Sequence, residues 1–174
     1  MHVARLVATD ASRYRALLLH AYEAAPDAFT STPEERATEP ESWWVNRIAH
    51  PGSLSASFGA FRNDELIGTV TIEFSAKPKT RHKCRLIGMF VAQSVRGLGA
   101  GKALLRAALE AAVARPGILV VTLTVTEGNA SAITLYESCG FRAFGVEPMA
   151  IATPTGFKSK VHMWLRLPSA DGAA

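Results

Sequence analysis

Residues 91–102 read Val-Ala-Gln-Ser-Val-Arg-Gly-Leu-Gly-Ala-Gly-Lys, with a glycine at three alternate positions. The preceding residues, 85–91, form an apolar run typical of a strand, and residues 100–115 carry apolar side chains at helical spacing. Glycine lets a ligand approach the backbone, and a helix N-terminus adds partial positive charge. This stretch therefore predicts a phosphate-binding turn, to which Arg96 and Lys102 add full positive charges.

Two common phosphate-binding motifs do not fit the turn. A Walker loop would need glycine at position 96 and serine or threonine at position 103, where Arg96 and Ala103 stand. A dinucleotide fingerprint would place its third glycine at position 102, which is Lys102. The spacing thus excludes both nucleotide signatures.

The rest of the chain predicts alternating strands and helices. Asp10 and Thr32 are suited to cap helices, and Pro33 fits the first helical position. Residues 119–125 are almost continuously apolar, which is typical of a strand covered on both faces. We expect strands at 3–7, 55–61, 66–75, 85–91, 119–125, 141–145 and 160–167, and helices after Asp10, from Pro33, and at 41–48, 100–115 and 131–138. Trp43 and Trp44 are expected in the core.

Length and composition favour one soluble domain. A chain of 174 residues with 48% hydrophobic residues fits a single domain over residues 1–167, with residues 168–174 as a flexible tail. No apolar run approaches the ~20 residues needed to span a membrane, and no signal-peptide core is visible. Two cysteines and five scattered histidines provide neither a disulfide framework nor a metal site. We therefore expect a cytoplasmic protein with no metal and no membrane contact.

The basic residues of the chain cluster in one segment. The net charge is +4, and the cluster consists of Lys77, Lys79, Arg81, His82, Lys83 and Arg85. Such a segment is either a solvated loop or a patch that attracts a polyanionic or acidic ligand. No aromatic residues alternate with these charges, so a nucleic-acid partner is not expected.

A family resemblance rests on two ordered motifs. The segment Arg96-Gly97-Leu98-Gly99-Ala100-Gly101 resembles the pyrophosphate signature Arg/Gln-x-x-Gly-x-Gly/Ala of the GNAT superfamily of acyl-CoA N-acyltransferases. In that family the next strand ends at a polar segment with an asparagine, followed by a helical tyrosine and Gly-Phe. Here the corresponding residues are Asn129, Tyr136, Gly140 and Phe141. The matching stretch runs from about residue 66 to residue 144.

The resemblance implies a fold and a set of cofactor contacts. The fold would be a mixed α/β (α+β), mostly antiparallel central sheet with helices on both faces and splayed central strands that hold CoA. Phe90 and Val91 would hydrogen-bond the pantetheine arm, and Asn129 would contact it or cap the following helix. The pyrophosphate would lie on the turn formed by Arg96, Gly97, Leu98, Gly99, Ala100, Gly101 and Lys102.

The activity implied is acetyl transfer from acetyl-CoA to a primary amine of a small molecule or peptide, by direct attack in a ternary complex. Tyr136 would protonate the leaving thiolate, and Cys84 and Cys139 would have no chemical role. Many members of the family place a glutamate on the strand before the glycine-rich turn, but residues 83–89 here hold no carboxylate, so the general base stays open. The candidates are a water chain or Glu34, Glu35, Glu73 or Glu127. The alternative is a CoA-binding sensor or structural module without turnover. The acceptor and a homodimer are also left open.

Overall fold

A computed structural model of the chain describes residues 1–168. Its twelve longer elements, numbered in chain order, are β1 (His2–Arg5), α1 (Ala11–Ala24), α2 (Pro33–Ala37), α3 (Glu41–Ala49), β2 (Ser55–Arg62), β3 (Glu65–Phe74), β4 (Lys83–Val91), α4 (Ala100–Val113), β5 (Val120–Thr126), α5 (Ala130–Ser138), β6 (Arg142–Thr153) and β7 (Gly156–Arg166). The predicted tail lies outside the described residues apart from Pro168. No helix among residues 1–168 is both long and apolar enough to cross a membrane.

The strands form one sheet in the order β1-β2-β3-β4-β5-β7-β6. Every neighbouring pair is antiparallel except β4 and β5, which run parallel. The parallel pair is short: only Lys83, Cys84 and Arg85 of β4 are in register with β5, and the strands separate beyond them. The predicted mixed, mostly antiparallel sheet with helices is therefore confirmed.

Local sequence explains several element ends. Asn63 and Asp64 both adopt positive φ in the two-residue turn between β2 and β3, a conformation that these residue types tolerate better than most. The Thr32 hydroxyl accepts the Glu35 N–H, so the predicted cap of α2 is confirmed. Asp10 precedes α1 as expected, but its carboxylate accepts the N–H of Val7 and does not cap α1.

The core consists of one apolar layer on each face of the sheet. On one face, α4 packs on β2 and β3 through side chains such as Leu104 and Leu105. On the other face, α1 and α3 pack on the same half of the sheet, with Trp44 fully buried against the edge of Tyr14. Trp43 is partly buried and packs against this core, and the guanidinium groups of Arg36 and Arg47 lie over its ring. The prediction that the tryptophans are core residues is confirmed for Trp44, and Trp43 lies at the margin of the core.

The second half of the sheet is more open than the sequence predicted. Thr124 in the middle of β5 is exposed, so the expectation of a strand covered on both faces was wrong. The physical reason is that the layer of α1 and α3 packs on β2 and β3 and does not extend over β5. The last hairpin is also longer than expected: β6 and β7 extend through residues 146–159, whose proline, glycine and mixed polarity hide the strand pattern.

Candidate active site

A cleft of about 680 Å³ opens where β4 and β5 separate. Residues 86–91 of β4 form one wall and residues 123–126 of β5 form the other. The segment after α1, the glycine-rich turn and the first half of α5 complete it, with side chains or backbone from Ala24, Ala25, Ala28, Phe29, Val70, Val95, Arg96, Gly97, Gly99, Ala100, Gly101, Lys102, Asn129, Ser131, Ala132, Leu135 and Tyr136. Most of the residues singled out from the sequence thus meet in one place.

A bulge in β4 shapes one wall of the cleft. Thr69 pairs with Phe90 and Thr71 with Ile87, so two residues, Gly88 and Met89, oppose Val70 alone. Gly88 has φ +61°, a conformation that favours glycine. An extra residue in a bulge lies outside the regular ladder of hydrogen bonds, which leaves backbone groups of β4 available to a ligand. Sequence reasoning missed this feature, for which Gly88 was the only signal.

The glycine-rich turn ends at the N-terminus of α4. Gly97 and Gly99 have φ +79° and +82°, and Gly99 is the residue that precedes the first helical position. No side chain caps α4 and its first turn has no acidic residue, so the first N–H groups and the helix dipole are free for an anion. Gly97, Gly99, Ala100, Gly101 and Lys102 all line the cleft. This geometry suits a phosphate group.

Two residues of the glycine-rich turn, Leu98 and Gly101, differ from the prediction that the whole turn serves only to hold a pyrophosphate. The Leu98 side chain is 55% exposed, and Leu98 is not among the residues that line the cleft. Gly101 has no positive φ, and a Cβ at its position would lie 3.1 Å from the Leu135 side chain. Gly101 therefore permits α4 to approach α5, in addition to lining the cleft.

Arg96 folds back onto β4. Its Nε donates a hydrogen bond of 3.2 Å to the carbonyl oxygen of Val91. This contact fixes the turn against the end of the strand. It involves only Nε, so the two terminal nitrogens of the guanidinium take no part in this bond. The same bond occupies one lone pair of the Val91 carbonyl oxygen. The family resemblance assigns the backbone of Val91 to pantetheine, so this carbonyl would accept hydrogen bonds from both Arg96 and the ligand.

Phe90 belongs to an aromatic group on the α1 side of the cleft. Its side chain is 5% exposed and packs against the rings of Phe29 and His20, with ring centroids 6.4 and 6.1 Å away. Phe29 also lines the cleft. The Phe90 side chain therefore forms apolar wall, and only its backbone remains for hydrogen bonds to a ligand.

Asn129 precedes α5 and caps it. Its Oδ1 accepts the Ala132 N–H at 3.3 Å and the Ser131 hydroxyl at 3.2 Å. Both residues and Asn129 itself line the cleft. The capping alternative raised by the sequence is therefore present in the structure, with the side-chain amide at the cleft wall.

Tyr136 lies on α5, with its ring edge-on to Phe141 at 5.9 Å. The side chain is 7% exposed and lines the cleft. Burial raises the pKa of the Tyr136 hydroxyl to about 12, since the phenolate would lose solvation. The hydroxyl is therefore protonated at neutral pH, as a proton donor must be.

Three residues that sequence reasoning did not assign tie the rim of the cleft together. The Thr126 hydroxyl donates to the backbone carbonyl of Asp27, and the Lys158 ammonium pairs with the Asp27 carboxylate. These bonds attach the turn at residues 26–28 to β5 and β7. Asp27 and Lys158 are separated by 131 residues, so no local sequence pattern could have revealed the pair.

The proposed base candidates lie elsewhere. Glu73 forms an ion pair of 3.0 Å with Arg85, and Glu35 lies 3.5 Å from Arg36. Among the described residues, no carboxylate, imidazole or thiol lines the cleft, so Glu34, Glu127, Cys84 and Cys139 are also outside it. Residues 1–168 contain no group of three or more potential metal ligands. A protein base is not evident within the cleft walls.

The fold and cleft together define a class: an α/β protein whose parallel strands separate around a cleft suited to a phosphorylated ligand. The model of the acetyltransferase (GNAT) family matches residues 17–141, most of the chain, and the chain belongs to this family. The sequence-based resemblance is thereby confirmed. No curated protein sequence matched the chain.

Solved structures similar to this chain include several acetyltransferases. A ribosomal-protein-alanine N-acetyltransferase from Brucella melitensis is 24% identical, with a TM-score of 0.78 over 96% of this chain and 100% of that one. The ribosomal-protein-S18-alanine N-acetyltransferase from Escherichia coli is 20% identical, with a TM-score of 0.71 over 99% and 97%. A putative acetyltransferase from Salmonella typhimurium, solved with its cofactor acetyl-CoA, is 18% identical, with a TM-score of 0.76 over 100% and 99%. At these identities the likeness concerns the fold.

Proposed function

We propose that the chain is an acetyl-CoA-dependent N-acetyltransferase that acts on a primary amine. The observation that carries this proposal is a single cleft lined by an uncapped helix N-terminus, a bulged strand edge and a buried, protonated Tyr136. A phosphate-binding group, a free backbone edge and a proton donor are what the transfer of an acyl group from a CoA thioester requires. Membership of the GNAT family supports the same reaction class.

The glycine-rich turn would bind the pyrophosphate of acetyl-CoA. The N–H groups from Gly97 to Lys102 donate to the phosphate oxygens, and Arg96 and Lys102 supply positive charge. The backbone of Phe90 and Val91 binds the pantetheine amides as an added strand in the gap beside β4. Asn129 orients this arm from the opposite wall while it caps α5.

The chain's own groups would support direct transfer. A backbone N–H near Val91 meets the negative charge that develops on the thioester oxygen. The Tyr136 hydroxyl, which is protonated at neutral pH, donates its proton to the departing sulfur. The acceptor approaches from the open face, where Thr124 is exposed and also lines the cleft.

The proton of the acceptor amine would leave the cleft through a chain of water molecules. An alkylamine with a pKa of about 10.4 is roughly a thousandfold depleted in its neutral form at pH 7, so proton removal is worth about 4 kcal/mol. No carboxylate lines the cleft among the described residues. A water chain to the rim is the remaining route that fits the open face.

The same observation favours a second candidate, a CoA-binding sensor without turnover. A chain with a cofactor cleft and no base in its walls could bind acetyl-CoA and do nothing further. This alternative predicts tight acetyl-CoA binding with no acceptor-dependent release of CoA.

The test is an acceptor panel with purified protein. CoA thiol release would be followed with alkylamines, free amino acids and peptides with an N-terminal alanine, the last because two similar folds are named as ribosomal-protein-alanine N-acetyltransferases. Turnover that exceeds spontaneous hydrolysis and yields an N-acetylated product supports the enzyme. Calorimetric binding of acetyl-CoA without turnover on any class supports the sensor, and absence of binding contradicts both.

A further inference from the structure

One wall residue of the cleft, Thr124, has an imidazole directly across from it in the sheet. Thr124 lines the cleft, and its partner on the neighbouring strand β7 is His162. Directly paired residues of antiparallel strands point to the same face of a sheet, with Cβ atoms about 5 Å apart. His162 therefore stands one strand behind the cleft wall, although it does not line the cleft itself.

The Thr124 hydroxyl differs from its two neighbours on the same face of β5. The Thr122 hydroxyl donates to the carbonyl oxygen of Cys84, and the Thr126 hydroxyl donates to that of Asp27. Thr124 is exposed, and within residues 1–168 its hydroxyl forms no hydrogen bond. A hydroxyl can donate one hydrogen bond and accept two, so this one is able to hold a water molecule between the cleft and β7.

Glu147 on β6 holds the His162 ring from the other side. Its Oε2 lies 3.1 Å from Nε2 of the imidazole, and the Phe144 ring packs edge-on to the imidazole with centroids 5.8 Å apart. A carboxylate at this distance favours the tautomer with the proton on Nε2, which leaves on Nδ1 the lone pair that can accept a proton. The same carboxylate would balance the positive charge that the imidazole then acquires.

The other charged groups near this imidazole are donors or are already paired. By register, Lys160 and Trp164 of β7 and Arg142 of β6 share its face of the sheet, and β5 presents three threonines there. Ammonium, guanidinium and indole groups donate hydrogen bonds and do not accept them. The turn at residues 26–28 contacts β5 and carries Asp27, whose carboxylate is paired with Lys158.

The exposure of the His162–Glu147 pair fits a chemical role better than a structural one. The two side chains are 33% and 54% exposed. Ion pairs of such exposure contribute only about 0–1 kcal/mol to stability. Partial exposure is what a group needs in order to pass a proton on to solvent.

We propose that His162 takes the proton of the acceptor amine through a water molecule held by Thr124, with Glu147 as the positioning residue for its ring. This inference rests on the proposed acetyl transfer. It names the group at the far end of the water chain that leads out of the cleft.

The protons and bonds of this step balance. The bound alkylammonium gives one proton to the water and the water gives one to Nδ1 of His162, which frees the nitrogen lone pair to attack the thioester carbon. The N–C bond forms and the C–S bond breaks, and the second proton of the amine replaces the one that Tyr136 gives to the sulfur. The imidazolium passes its proton to solvent, so the net release is one proton.

The test compares kcat/KM of the wild type and His162→Gln at pH 7 and pH 10, with the fastest acceptor of the amine panel. At pH 7 the variant should be about tenfold to a hundredfold slower, because it lacks the proton acceptor. At pH 10 an α-amine is neutral in solution, and about a quarter of an alkylamine with a pKa of about 10.4 is neutral. The variant should then come within about threefold of the wild type, whereas structural damage would persist at both pH values.

Two further variants serve as controls. His82→Gln removes a partly buried imidazole outside the cleft and should keep wild-type kinetics. Glu147→Gln keeps the shape of the positioning residue and removes its charge, so at pH 7 it should lose about threefold, less than His162→Gln. Melting curves verify folding, and calorimetry should give all variants the wild-type affinity for acetyl-CoA.

The outcomes separate this inference from the proposed function. A wild type that turns over, together with a His162→Gln variant that is equally active at pH 7 or equally impaired at pH 7 and pH 10, overturns the role of His162 and leaves the enzyme. A wild type that turns over no acceptor overturns both. A defect in His162→Gln that disappears as the pH rises supports both.

Discussion

The two halves of the sheet differ in how they are covered. Strands β1 to β4 lie between α4 on one face and α1 with α3 on the other, and Leu104 and Trp44 there are fully buried. Strands β5, β7 and β6 are covered less completely: Trp164 is 37% and Phe144 61% exposed, and residues 142–149 of β6 are exposed on both faces. The first half is packed like the core of a small protein. The second half exposes apolar side chains of the kind that occur at binding surfaces for ligands or partners.

The cleft lies at the boundary between these halves, and this position explains its composition. The covered half supplies the β4 wall and the N-terminus of α4, which require a rigid backbone to hold positive-φ glycines. The open half supplies Thr124 and the helix that carries Tyr136. A rigid cradle on one side and an accessible wall on the other would let a cofactor and an acceptor approach from different directions.

The largest expected effect concerns the cradle on the covered side. Gly99→Val puts a β-branched side chain at φ +82° beside the first N–H groups of α4. Two charge-assisted hydrogen bonds to phosphate, at about 2 kcal/mol each, should be lost, so acetyl-CoA affinity should fall about a thousandfold in calorimetry.

Gly117→Val is the matched control for this prediction. Gly117 has φ +83° and equally open surroundings, but it lies in the turn after α4 and outside the cleft. Both variants should lose about 1–3 kcal/mol of stability to backbone strain, and only Gly99→Val should lose binding. Equal affinities in the two folded variants would contradict the assignment of the phosphate site.

The next effect measures the difference between the halves directly. Leu104→Ala leaves a cavity in the covered half and should cost about 3 kcal/mol in the free energy of unfolding, as measured with urea. Phe144→Ala removes a larger side chain from the exposed edge and should cost less than about 1 kcal/mol. Similar costs would show that the open half is as tightly packed as the covered one.

A smaller effect is expected at Tyr136, on the open side of the cleft. Tyr136→Phe keeps the ring against Phe141 and removes the proton. We expect kcat to fall tenfold to a thousandfold with the best acceptor, about 1.4–4 kcal/mol, and acetyl-CoA affinity to change by less than about 1 kcal/mol. Tyr22→Phe, which deletes a buried hydroxyl outside the cleft, should keep its turnover. A Tyr136→Phe enzyme with wild-type kcat would make Tyr136 a packing residue.

Sequence reasoning worked where the determinants are local. The glycine-rich turn and the Thr32 cap each depend on a few consecutive residues with special conformational preferences. The mixed, mostly antiparallel sheet and the family followed from two motifs in the right order, because the family resemblance carried the fold class with it.

Sequence reasoning failed where the determinant is distant. The exposure of Thr124 depends on how far the helix layer of another segment extends, which periodicity in β5 does not encode. The Asp27–Lys158 pair joins segments 131 residues apart, and the bulge at Gly88 depends on pairing with β3. The length of β6 and β7 was underestimated because largely exposed strands lack the alternating pattern that identifies half-buried ones.

The smallest predicted effect is a pH dependence that originates in the covered half. The Cys84 side chain is 3% exposed in β4, and burial raises the pKa of its thiol from 9.0 to about 12. Above pH 9 the unfolded chain releases this proton while the folded chain keeps it, so the unfolded state binds fewer protons and stability falls as pH rises. Between pH 8 and pH 10 the loss from Cys84 should be about 1.4 kcal/mol, and the Tyr136 hydroxyl, whose pKa is raised from 10.0 to about 12, adds a smaller loss that Cys84→Ala retains. Urea unfolding at these pH values should therefore show a steeper decline for the wild type than for Cys84→Ala. Parallel declines in the wild type and Cys84→Ala would mean that the Cys84 thiol ionises in the folded chain as readily as in the unfolded one.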